Sequence, residues 1–198
     1  IISTQFLFSN QSDCKKKTID IFNNIVSSIG NSFPRSPELK FSNSKSSVAY
    51  SNGTDIVIEE EIINSLCGLP DFEDKVSYII SHELAHHYLK HTWMFHTGFA
   101  YSSPLGEFIN ESNSYNQRKL SEIQADLYGG FFGQISGYHT LSFGKEVLTH
   151  VYDTYGLSEN IKGYPSLDER ISIIENNIEK VETLGLLFDL GNILLKLG

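Results

Sequence analysis

The sequence predicts a mainly α domain with a small antiparallel β-sheet, an α+β fold, on three observations. Apolar residues recur at helical spacing over several long stretches, two short β-prone runs flank an Asn-Gly pair, and 198 residues suit one sizeable core rather than two. The chain is read as a single domain over 1–198, with an N-terminal helix and loop (1–44), a central body (45–175) and a C-terminal helix (176–198).

Ser12 and Asp13 offer N-cap oxygens to a first helix carrying Ile19, Ile21, Phe22, Ile25, Val26 and Ile29, which stops at Gly30. Residues 31–46, with Pro34, Pro37 and many serines, read as a loop. Val48-Ala-Tyr50 and Ile56-Val-Ile58 bracket Ser51-Asn-Gly-Thr54, where Asn-Gly favours a tight hairpin turn. Glu59, Glu60 and Glu61 suit the first turn of the next helix, since carboxylates favour the positive N-terminal end. A long buried helix is expected over about 72–91, from Val76, Ile79, Ile80, Leu84, Ala85 and Leu89. A Ser-, Asn- and Gly-rich loop over 98–117 then leads to a second strong helix over about 118–136, ended by Gly137. Two or three further helices are expected, near 142–154, 167–181 and 184–197, the last completing the core or docking on a partner or further domain.

Fifteen basic against 24 acidic residues give a net charge of −9, which repels phosphate backbones and anionic membrane surfaces and excludes nucleic acid as an expected partner. The most apolar stretch, 184–197, is interrupted by Asp189, Asn192 and Lys196 and is too short to cross a bilayer, so no transmembrane segment is expected. Cys14 and Cys67 are isolated, at most one bridge can form between them, and the favoured reading is two reduced thiols. With no visible signal peptide, this tips the expected compartment towards the cytoplasm. Trp93 and Met94 are assigned to the core or its rim.

The chemistry is concentrated in His82-Glu-Leu-Ala-His86, inside the expected 72–91 helix. Residues four apart share a helix face, so both imidazoles can reach one metal ion, with Glu83 beside them. A catalytic zinc needs a third protein ligand and leaves a position for water. The next strong helix carries Glu122-Ile-Gln-Ala-Asp126, again with i, i+4 spacing. Glu122 is the expected third ligand to one Zn2+, and Asp126 the acceptor for the second ring N–H of a liganding histidine, His82. The other histidines, His87, His91, His96, His139 and His150, have no third partner at ligand spacing and are assigned structural roles.

With these motifs in view, the chain resembles the gluzincin metallopeptidases that include the HtpX heat-shock proteases, the type I CAAX prenyl endopeptidases and the OMA-type mitochondrial proteases. The resemblance rests on Ile80-Ser-His-Glu-Leu-Ala-His-His-Tyr-Leu-Lys-His91 and Ser121-Glu-Ile-Gln-Ala-Asp-Leu-Tyr-Gly129, and more loosely on the hairpin at 47–58 and on Tyr164-Pro-Ser-Leu-Asp-Glu-Arg-Ile171. It covers roughly 45–175 and implies a zincin-like fold with an active-site helix and a glutamate-bearing helix. It also implies a zinc endopeptidase activity in which Glu83 is general base and acid for a zinc-activated water. His91 falls where the family often has a histidine. Tyr164 stands where the family commonly has a histidine that assists the oxyanion, and a phenol O–H can also donate to developing negative charge. Arg170 is retained and is read as an ion-pair partner of Asp126 or another site carboxylate.

The expected substrate is an extended or unfolded polypeptide lying along the 56–58 strand, because a sheet edge pairs with main chain and tolerates varied side chains. The alternative is a catalytically inactive, zinc-binding interaction module in which the 98–117 loop or Tyr164 closes the site. A helical interaction domain without metal would require both motifs to be coincidental.

Overall fold

The computed structural model describes residues 2–30, 36–44, 47–91, 104–159 and 164–197, with side chains described from 12 and from 117 within the helices beginning at 2 and 104. Trp93, Met94 and His96 lie outside the described residues. The described chain is mainly helical with one small sheet: α1 (Ile2–Ile29), β1 (Leu39–Ser42), β2 (Ala49–Ser51), β3 (Ile56–Glu59), α2 (Glu60–Leu66), α3 (Phe72–Tyr88), α4 (Pro104–Ile135), a 3-10 turn at Thr140–Phe143, α5 (Gly144–Tyr155), α6 (Leu167–Glu175) and α7 (Ile178–Leu197).

The sheet is mixed rather than antiparallel. Asn52 shapes the turn of the expected hairpin, its Oδ1 accepting from the N–H groups of Thr54 and Asp55 while Gly53 takes a φ of 89°. β2 thereby pairs antiparallel with β3, Ala49 opposite Ile58. The segment read as a loop supplies β1, which lies parallel to β3 on its other side, Leu39 opposite Ile56. Four residues in a Ser- and Pro-rich setting carry too little alternation to announce a strand; the ladder offered by β3 decides it. The order β1-β3-β2 makes β3 central, and all four of its residues are buried.

α3 runs through the core with Val76, Ile80 and Leu84 fully buried, packed with Ile25 of α1, Ile56 and Ile58 of β3, Ile62 and Leu66 of α2, Val147 of α5 and Ile174 of α6. α4 crosses it closely. At Gly129 an added Cβ would lie 2.8 Å from the His82 nitrogen and 2.9 Å from the Ser81 carbonyl, so only glycine lets the two backbones meet at the histidine motif. Lys75, buried on α3, reaches Glu146 of α5 at 2.6 Å and so anchors that helix beside the same face.

The structure departs from the sequence expectations elsewhere too. α1 begins at Ile2, well before Ser12 and Asp13, and the segment from 104 to 117 is the first part of α4, a helix of 32 residues. Cys14 and Cys67 are joined in a disulfide across a separation of 53 residues, tying α1 to the end of α2. The pairing of two lone cysteines is set by the docking of α1 and leaves no trace in their spacing. It also removes the reduced-thiol ground for a cytoplasmic compartment. The C-terminal segment forms one helix, and instead of completing the core it leaves Leu186, Leu187, Leu190, Ile193, Leu194, Leu195 and Leu197 exposed. No helix among the described residues is long and apolar enough to cross a membrane.

Candidate metal centre and cleft

Helix pitch puts His82 and His86 on one face of α3, and α4 brings Glu122 to them across the close crossing. The two Nε2 atoms are 3.1 Å apart, and each lies 3.5 Å from an oxygen of the Glu122 carboxylate, Oε2 for His82 and Oε1 for His86. Tetrahedral bonds of 2.0–2.2 Å set neighbouring donors about 3.3–3.6 Å apart. The His-His-Glu group is therefore spaced as a metal ion would require, and it is the one such group among the described residues.

The hydrogen bonds behind the donors agree with that reading. Asp126, one turn beyond Glu122 and almost fully buried, accepts from His82 Nδ1 at 2.9 Å, from the Tyr78 hydroxyl at 2.7 Å, and from Arg170 Nη2 and Nε at 2.6 and 2.9 Å. Because His82 spends its N–H on Asp126 when neutral, its Nε2 faces Glu122 and His86 as a lone pair. Arg170 is placed by α6, whose start is fixed by a capping box between Ser166 and Glu169. On the other histidine, His86 Nδ1 lies 2.9 Å from His91 Nδ1, and His91 Nε2 lies 3.2 Å from Gln124 Oε1.

The charges are strongly perturbed. Burial works against a charged Asp126, but the Arg170 guanidinium and the His82 hydrogen bond outweigh it and hold the carboxyl well below the usual range. Burial likewise opposes ionisation of Glu122, yet His82 and Arg170 bring it down to about 2. For His82, burial disfavours the cation, but the hydrogen bonds of Asp126 and Glu122 lift the imidazole to about 10. Burial lowers His86 to about 3, assisted by the charge on His82, so it stays a neutral donor. Glu83 is pushed up to about 7, chiefly by burial, while His82 and a hydrogen bond from the Ser51 backbone pull the other way.

These groups open onto a cavity of about 720 Å³. His82, Glu83, His86 and Glu122 meet residues 47–51 of the β2 edge, an apolar wall of Val147, Leu148, Val151 and Tyr152 from α5, and Tyr164 with Arg170. Tyr164 is partly exposed, and its phenol is raised by burial and by the nearby carboxylates of Glu122 and Glu83. Every sequence-predicted site residue thus reaches one place: Glu83, Tyr164 and Arg170 line the cavity with the three ligand candidates, and Asp126 lies directly behind His82.

Sequence reasoning passed over Tyr78, Gln124 and the β2 edge, and gave His91 only a structural role. Tyr78 lies one turn before His82, so the i, i+4 rule applied upstream would have found it. His91 belongs to no ligand spacing. The expected substrate strand, 56–58, is corrected as well: β3 is paired on both sides, and β2 is the edge that faces the cavity. Comparison of the chain with protein-family models, with curated proteins and with solved structures finds no match.

Proposed function

We propose that the protein is a zinc-dependent endopeptidase with a zincin-like fold, related to the gluzincins it resembles, that acts on extended polypeptide. One observation carries the reading: three metal donors converge beside a buried carboxylate, at the floor of a cleft whose rim is a sheet edge. His82, His86 and Glu122 would hold the ion. When bound, it supplies Lewis acidity, polarising a carbonyl and acidifying water.

The chain's own residues do the rest. Glu83 takes the proton of the attacking water and returns it to the leaving amine; its burial makes it a stronger base than an exposed carboxylate. The Tyr164 hydroxyl donates to the oxygen on which negative charge develops. β2 pairs with the substrate main chain, and the α5 wall of Val147, Leu148, Val151 and Tyr152 receives an apolar side chain next to the scissile bond. Asp126 and Arg170 keep His82 in its tautomer.

The test pairs zinc content by elemental analysis with cleavage of a fluorogenic peptide library. One zinc per chain is expected, with cleavage favouring bulky apolar residues; Val151→Trp should narrow that preference to small ones. Glu83→Gln should keep the zinc and lose about 10²–10⁴-fold in turnover. Zinc retained with no peptide cleaved would leave a metal-binding interaction module instead.

A further inference from the structure

We infer that His91 and Gln124 are positioning residues for the metal centre, a hydrogen-bonded pair that fixes the tautomer of His86 and presents its Nε2 lone pair to the ion. The inference rests on the His82, His86 and Glu122 reading above.

Gln124 Oε1 is a carbonyl oxygen and only accepts, so at 3.2 Å it takes the proton on His91 Nε2. A neutral imidazole carries one N–H, which leaves His91 Nδ1 as an acceptor. His86 Nδ1, 2.9 Å away, must then donate to it. His86 Nε2 is left as a bare lone pair, 3.1 Å from its counterpart on His82. The two histidines are therefore oriented by different means, His82 by the buried carboxylate of Asp126 and His86 by a neutral relay.

The backbone is shaped to allow this. On a continuous helix a residue five places on stands about 140° round the axis and cannot turn back onto its predecessor's ring. α3 instead stops at Tyr88, and Lys90 adopts a left-handed φ of 57°, an unusual conformation for a side-chain-bearing residue. His91 returns to His86 and is almost completely buried there. Gln124 meets it from α4, between Glu122 and Asp126, so one helical turn supplies a ligand and both orienting acceptors.

The experiment is a zinc-affinity titration of the full chain against a competing chelator at fixed pH, which needs no substrate. His91→Ala is expected to weaken zinc binding about 10–100-fold, the usual effect of removing the partner of a ligating histidine. Gln124→Leu should weaken it in the same direction, and Gln124→Glu, which keeps an acceptor, should match or exceed the wild type. Wild-type affinity in folded His91→Ala, or equal loss in both Gln124 variants, would overturn the inference while leaving the three-ligand site intact. Should His91→Ala not fold, the Gln124 pair decides alone. ¹⁵N spectra of the His86 ring add an independent check: a proton on Nδ1 is expected, and a proton on Nε2 overturns the assignment. A wild-type chain that binds no zinc removes the metal reading itself and this inference with it.

Discussion

Two of α4's neighbours obey opposite rules. On its α3 side α4 buries histidines, carboxylates and a tyrosine, each paired: His82 and Tyr78 of α3 and Arg170 of α6 with Asp126, and His91, just past the end of α3, with Gln124. Against α7 it meets an apolar helix that keeps only Val181 and Gly185 buried, with Phe188 edge-on to Phe131 at 6.0 Å, and leaves Leu195 and Leu197 about four-fifths exposed. Hydropathy alone would have put α7 inside and the charged motif outside. Burial follows partnership instead: a charge is held in the interior when its hydrogen bonds are met there, whereas a leucine face gains nothing until some apolar surface covers it.

The contrast is broken most severely at Asp126. Asp126→Ala leaves the buried Arg170 guanidinium uncompensated and should cost about 3–5 kcal/mol in chemical denaturation. The same residue sets an acid limit. Its folded pKa lies below the unfolded value, so its contribution is fully present above about pH 4 and lost as pH falls towards the folded pKa. Metal-stripped wild type should therefore lose stability on acidification more steeply than Asp126→Asn. A flat difference between the two would mean the carboxylate is not doing the holding.

Reducing the disulfide comes next. Closing a loop of 53 residues is worth about 4 kcal/mol in the chain-entropy description, so a Cys14→Ser, Cys67→Ser double variant should unfold at correspondingly lower denaturant. Equal midpoints would show that α1 is held by its apolar face of Ile21, Phe22 and Ile25 alone.

Glu83 runs opposite to Asp126. Burial raises it to about 7, so its ionisation costs folded stability as pH climbs from about 4.5 through 7. Metal-stripped Glu83→Gln should be more stable than wild type by up to about 3 kcal/mol at pH 8 and indistinguishable at pH 4. A variant less stable at pH 8 would place Glu83 among the supporting groups instead of the strained ones. Gly129→Ala should cost about 1–3 kcal/mol, since either α4 or the backbone of the motif must shift. Zinc affinity should fall with it.

The smallest effect belongs to α7. Leu190→Gln and Leu194→Gln, both on exposed positions, should change stability by no more than about 0.5 kcal/mol, measured by thermal unfolding. A loss of about 2 kcal/mol or more would show that this face is covered in solution, and the comparison with the α3–α4 seam would dissolve.

Much of this was legible in the residues. The 3.6-residue pitch alone puts His82 with His86 and Glu122 with Asp126 on common faces, and Asn52-Gly53 alone specifies the hairpin, because these are interactions within a few residues of chain. What lay beyond that range was not. The pairing of β1 with β3, the disulfide and the outward face of α7 each depend on which surface meets which, a choice made by the whole packing. The same holds for the centre itself: the sequence supplied two pairs of polar residues, and only the close crossing at Gly129 brought the pairs to 3.5 Å and made them one site.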